Sequence, residues 1–281
     1  MLSSVPMITY DPKRWLFVLL SFPRSPVFRL LFLDVMLAGL YAAAVVWAEK
    51  RYPAIAVPLG PAILSLLGII LGLLLVFRTN TAYDRWWEGR RLWGQLVNVS
   101  RALARQLDAL LGREGSRAEH RERYVALLTR FPTALAIHLR SPVIERHEPN
   151  EIMSALVREL HLDIAAGRLP REATVALTPL LTAFDDICGA CERIRRTPIP
   201  FSYSSYIKQF ILLFALLIPF ALAQDFGYGT VIAEMFIFFS TMGIELLANE
   251  VEEPFGTDRN DLPLEDIGAT IARDVRALLP A

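Results

Sequence analysis

No charged residue interrupts positions 52–77, and the second part of that stretch, residues 59–77, is almost wholly apolar. A helix of that length crosses the ~30 Å hydrocarbon core of a bilayer. Immediately after it the sequence turns to Arg78, Asp84, Arg85, Glu88, Arg90 and Arg91, interleaved with Trp86, Trp87 and Trp93. Arginine and indole are the residues a membrane–water interface favours.

The composition fits the same picture. The chain of 281 residues is 54% hydrophobic yet 21% charged, with a mean hydropathy of +0.38. Such values suit a protein whose apolar and charged segments are segregated. Three more membrane helices are expected, at residues 30–48, 209–224 and 230–248. The first carries Asp34 and the second Pro219. The third is bounded by Glu234 and Glu245, so it is expected to turn its acids toward protein or water. Basic residues flank one side: Arg24, Arg29, Arg78, Arg85, Arg90 and Arg91. The segment 225–229 has none, and the first connection has only Lys50 and Arg51. Both termini and the long middle are therefore expected in the cytoplasm, with the chain a multi-pass protein of the bacterial inner membrane. Lys13 and Arg14 precede a short apolar run, residues 15–22, without a small-residue cleavage site. It reads as an interfacial helix anchored by Trp15 rather than a secretory signal.

Residues 79–206 read as soluble helices. Leu92, Leu96, Val99, Leu103, Leu107 and Leu110 recur at three and four, the stripe of an amphipathic helix. Breaks are expected at 112–116, 141–150 and 167–170. Thr197-Pro198-Ile199-Pro200 ends the last helix, since proline donates no helical hydrogen bond. Strand patterns and repeats are absent. The reading is one integrated all-α unit over 1–281: four membrane helices, plus a helical cytosolic part at 79–206 and 250–281.

Zero formal net charge gives no argument for a nucleic-acid partner. Cys188 and Cys191 are the only cysteines, so no disulfide framework is expected. No βαβ pattern surrounds this C-x-x-C pair, and a zinc site would need two more ligands. His120, His138, His147 and His161 show no matching spacing, which leaves structural thiols. No nucleophile–base pair, phosphate loop or metalloprotease motif is visible, and no enzyme is expected.

Three motifs carry a family resemblance. Phe77-Arg78-Thr79-Asn80 with Tyr83-Asp84-Arg85-Trp86-Trp87-Glu88-Gly89-Arg90 is similar to the signature of bacterial bestrophin homologues. Ile194-Arg195-Arg196-Thr197-Pro198-Ile199-Pro200-Phe201 and Asn249-Glu250-Val251-Glu252-Glu253-Pro254-Phe255-Gly256 follow in the same order. The resemblance implies a bestrophin-like pentameric ring with a central pore. Ile69, Leu73 and Phe77 share one helical face; periodicity alone makes that an ordinary packed helix, with Gly68 and Gly72 on a neighbouring face. The resemblance implies that the three form a hydrophobic neck that gates by wetting and dewetting. It likewise implies that Ile187 forms a cytosolic aperture, where sequence alone suggests a core isoleucine. Family members in eukaryotes hold Ca²⁺ with acids after Pro-Phe-Gly. Asp258 and Asp261 match that placement, with Glu250 and Glu253 nearby, but Thr257, Arg259 and Asn260 interrupt the run. No other cofactor is expected.

The expected function is passive conduction of monovalent ions through a homopentamer in a lipid bilayer. Eukaryotic relatives pass anions and bacterial ones are described as cation-selective. Asp185, Asp186, Glu234 and Asp225 favour Na⁺ and K⁺ where they face the pore. The alternatives are an anion channel, and a non-conducting signalling or scaffold protein. A small-solute transporter would show paired broken helices or an inverted repeat.

Overall fold

A computed structural model of the protein describes residues 26–55, 59–112, 118–141, 146–258 and 260–280. The helix expected around Trp15 lies outside them. Among the described residues there are eight α-helices and no strand: α1 Pro26–Arg51, α2 Pro61–Leu111, α3 Ala118–Arg140, α4 Glu148–Ala165, α5 Ala173–Arg196, α6 Phe201–Phe226, α7 Gly229–Glu252 and α8 Leu264–Leu278. The all-helical membrane fold expected from the sequence is the fold observed. The expected apolar spans fall in α1, α2, α6 and α7, and each helix continues past its apolar window into polar residues. At the boundary the backbone keeps its own hydrogen bonds, so a change of solvent does not end a helix.

The chain divides into two compact units. Among the described residues, one holds 26–84 and 199–252, the other 85–198 and 253–280. Helix α2 supplies residues to both. It is one 51-residue helix, joining the apolar stretch to the leucine stripe across the charged signature. It stops at Leu111 because Gly112 takes φ 65°, a left-handed conformation that glycine adopts freely.

In the first unit α1 packs chiefly on α7, and α7 on α6. The α1–α7 contact is close at Gly39, where a Cβ would meet the Met235 Sδ at 2.8 Å. Leu71 and Leu75 of α2 form a small buried cluster with Ile207 and Ile211 of α6.

The second unit has a continuous core. It takes Trp93, Leu96, Leu103 and Leu107 from α2, Leu128, Phe131 and Leu135 from α3, and Leu156 from α4. Leu177, Leu181, Phe184, Ile187 and Ile194 enter it from α5, with Ile271 and Val275 from α8. Helix α5 is a fifth helix long and apolar enough to cross a membrane by composition, with a mean hydropathy of 1.2. Its apolar side is consumed by this core, however, while Asp185, Asp186 and Gly189 are exposed. It behaves as an amphipathic helix whose apolar side packs on its own unit.

Phe184 is fully buried and meets Phe131 edge to face at 5.0 Å between centroids. Phe184→Ala is expected to cost about 3–5 kcal/mol, the range for deleting a core aromatic ring. It should lower the thermal unfolding midpoint of the detergent-solubilised protein. Val175→Ala, at a position 79% exposed on the same helix, should leave that midpoint nearly unchanged.

Candidate functional site

Residues of all three sequence motifs meet at one buried cation in the first unit. Arg78 is wholly buried. Its Nη2 donates to Asn249 Oδ1 at 2.6 Å and to Glu252 Oε2 at 2.7 Å. Its Nε lies 3.4 Å from Glu245 Oε2, and Lys208 Nζ stands 4.0 Å from the other Glu245 oxygen. Glu252 Oε1 accepts the Ile199 amide at 2.7 Å. Two carboxylates thus face two cations, the charge balance that burial of ions demands. An arginine suits the place because its planar fork serves several acceptors at once.

With Leu71, Leu75, Arg78 and Ala82 turned inward, the opposite face of α2 is left open. Ile69 is 69% exposed, Leu73 55% and Phe77 54%. Leu66 and Val76 extend the same apolar face. Gly68 closes on Phe214, whose ring a Cβ would touch at 3.4 Å, whereas Gly72 has open space beside it. An apolar face of this extent, uncovered by its own chain, is a surface for lipid, for further copies, or for a water-filled passage.

The four acids expected to set pore electrostatics separate. Asp225 is exposed at the end of α6 and Asp185 and Asp186 are exposed on α5. Glu234 is fully buried in α7, on a helix expected to turn its acids toward protein or water. Ile187 is 1% exposed, within the core of the second unit, the place that its helical register alone suggests. The stripe Leu177, Leu181, Phe184, Ile187, Cys191 and Ile194 already carried that signal at helical spacing.

In the second unit the motifs again converge. Arg85 donates to the carbonyls of Thr197 at 2.5 Å and Ile194 at 2.6 Å, satisfying the orphan carbonyls that end α5. Trp86 Nε1 donates to Asn260 O at 2.9 Å, and Arg193 pairs with Glu88 at 2.8 Å. Gly89 gives room to Pro254 and Phe255, whose ring atoms a Cβ would meet from 3.1 Å. Beside this loop lies a cavity of about 930 Å³ lined by Arg85, Arg140, Arg195, Phe255 and Glu265. Arg140 Nε donates to the Phe255 and Gly256 carbonyls, both at 3.0 Å, and its other nitrogens bond Glu265.

Of the candidate calcium ligands, Asp258 and Asp261 come together: the Asp258 amide donates to Asp261 Oδ2 at 2.6 Å. Glu253 is exposed in the same unit, and Glu250 belongs to α7 in the other. Asp261 Oδ1 is buried without a hydrogen-bond partner, so the oxygen donors suit a hard cation in chemistry. Burial pushes the Asp261 carboxyl up to about 6, against the Asp258 amide bond that pulls it down. Burial also raises Asp185, helped by its neighbour Asp186. Cys188 and Cys191 are buried free thiols; burial first, then nearby acids, pushes Cys188 up to about 12, which keeps it unreactive.

These features define a helical membrane protein built around an open apolar helix face, with no catalytic constellation among the described residues. The sequence profile of the family described as Bacterial/Fungal Bestrophin protein matches residues 7–277. The chain belongs to the bestrophin family, whose members are channels rather than enzymes. A voltage-dependent anion channel-forming protein of Nostoc is 37% identical over 228 residues, 74% of each chain. The Escherichia coli K12 protein YneE, with the same description, is 32% identical over 86% of this chain and 84% of its own. A solved bestrophin homologue from Klebsiella pneumoniae superposes with a TM-score of 0.79 at 30% identity, covering 88% of this chain and 98% of that one.

Removing Arg78 leaves Glu245 and Glu252 buried beside a lone lysine. Arg78→Ala is therefore expected to cost about 3–5 kcal/mol, the range for breaking a buried pair, read as a lower thermal midpoint. Arg78→Lys should recover only part of it, since an ammonium cannot reproduce the fork.

Asp261 makes a pH prediction. Its folded value lies above the ordinary carboxylate value, so between the two the folded chain binds more protons than the unfolded one. Stability from this group is then gained as pH falls through about 6 and is lost as pH rises through it. In chelator-treated buffer the thermal midpoint should carry such a component, and Asp261→Asn should remove it.

Proposed function

We propose that the protein is a passive ion channel of the bacterial inner membrane, assembled as a homopentamer with both termini cytoplasmic. Copies of α2 surround the pore with Ile69, Leu73 and Phe77 as its hydrophobic neck. The observation that carries this reading is the uncovered apolar face of α2, held outward by the Arg78 ion pairs opposite it. An apolar ring destabilises the water column that an ion needs, so the neck acts as a gate. The basic residues flanking the spans support the orientation, and Asp258 with Asp261 offers oxygens for a regulatory Ca²⁺.

On ion sign, the exposed pair Asp185 and Asp186 supports cations: repeated five times, partly exposed carboxylates raise local cation concentration. The anion reading is favoured by the relatives, several of which are described as voltage-dependent anion channel-forming proteins. The reversal potential of the reconstituted protein under a salt gradient decides between the two. A value near the Na⁺ or K⁺ equilibrium supports the acids' role, and Asp185→Asn with Asp186→Asn should then move it toward the anion value. A value at the Cl⁻ equilibrium establishes the anion channel.

Leu73→Ala is expected to raise ion flux in liposomes severalfold with little change in thermal midpoint. Leu71→Ala, at a position 1% exposed on the inward face, should lower the midpoint instead. Equal flux changes from both would remove the neck. Native mass spectrometry should give five times the 31.6 kDa protomer; a dominant monomer or dimer would end the channel reading.

A further inference from the structure

The second unit gathers two imidazoles and a carboxylate. His138 Nε2 and His147 Nε2 lie 2.7 Å and 2.6 Å from the same atom, Glu192 Oε1. The three ligand atoms lie within 4.8 Å of one another, and the two ring centroids are 4.3 Å apart. The residues come from three elements. His138 is on α3 and 5% exposed, His147 caps the start of α4, and Glu192 is on α5. Cationic neighbours leave the shared oxygen free. Arg196 faces the other Glu192 oxygen at 3.8 Å. Arg195 is spent on the carbonyls of His138 and Ser141.

We propose that His138, His147 and Glu192 form a binding site for a divalent transition metal, best suited to Zn²⁺, that clamps α3, α4 and α5 to one another. Two imidazole nitrogens and a carboxylate oxygen make the three-ligand set of an open zinc site, with water in the fourth position. Calcium and magnesium prefer oxygen ligands throughout and are poorly served here. Metal–ligand distances of about 2.0–2.2 Å around a tetrahedral centre put ligand atoms about 3.4 Å apart. Opening the two histidine–glutamate contacts of 2.7 Å and 2.6 Å by less than about 1 Å reaches that spacing.

His147 sets the one cost. Its Nδ1 accepts the Asn150 amide at 3.2 Å, so its proton sits on Nε2. A metal at Nε2 moves that proton to Nδ1 and gives up the bond. The bond is long and Asn150 is exposed, so water replaces it cheaply. The site does not depend on conduction, and its test reads binding alone.

The experiment is calorimetric titration of ZnCl₂ into the full-length protein in detergent, prepared without a polyhistidine tag and stripped with chelator. Saturation at one ion per chain is expected, with a rise in thermal midpoint. His147→Ala and Glu192→Gln should each weaken binding at least about 100-fold, the upper range for loss of even an outer-shell partner. His147 is partly exposed, so its variant should keep the wild-type circular dichroism. His161→Ala, an exposed histidine elsewhere on α4, should bind as wild type. Absence of saturable binding in the wild type, or undiminished binding in His147→Ala, overturns the proposal.

Discussion

The buried Arg78 is the constraint on which the first unit depends. A guanidinium without water around it is tolerable only where carboxylates surround it, and here they come from α7 alone, Glu245 and Glu252, helped by Asn249. That requirement fixes the rotation of α2 about its own axis. Once Arg78 points inward, residues three and seven positions before it, Leu75 and Leu71, must also point inward. Ile69, Leu73 and Phe77 are then left facing out. A polar contact that is costly to bury thus decides where an apolar surface appears. The Ile199 amide on Glu252 extends the same control to the start of α6.

The signature motifs divide their labour along α2. Arg78 organises the first unit, while Arg85, Trp86, Glu88 and Gly89 organise the second. Arg85 closes the end of α5, Trp86 holds the loop at Asn260, and Gly89 makes space for Pro254 and Phe255. Within a run that looks like an interfacial charge cluster, Arg78, Arg85, Trp86 and Glu88 each have a partner inside the fold.

Much of this was legible in the sequence. Length and the absence of charge reveal a membrane helix because the bilayer imposes a fixed thickness. The leucine stripe of residues 92–110 reveals its buried face because 3.6-residue periodicity is a geometric necessity. The continuity of α2 was not legible, since the charged signature breaks the apolar pattern without breaking the helix. The burial of Glu234 was half legible: an acid in a span turns toward protein or water, and nothing local shows which. The burial of Ile187 was legible in its helical register. The His138, His147 and Glu192 cluster was invisible: its contacts join residues 54 and 45 positions apart, and no spacing rule spans separations set by the packing of three helices.

The contact of Gly39 with Met235 carries a consequence for the history of such chains. Even a methyl group at position 39 would collide with the thioether. Methionine is the unbranched, adaptable side chain that could withdraw, where a backbone atom could not. Neither position is free to drift alone: a larger residue at 39 calls for a shorter or differently turned one at 235. Among descendants of this sequence the two sites are expected to covary, recording the distance between two membrane helices in the statistics of substitution.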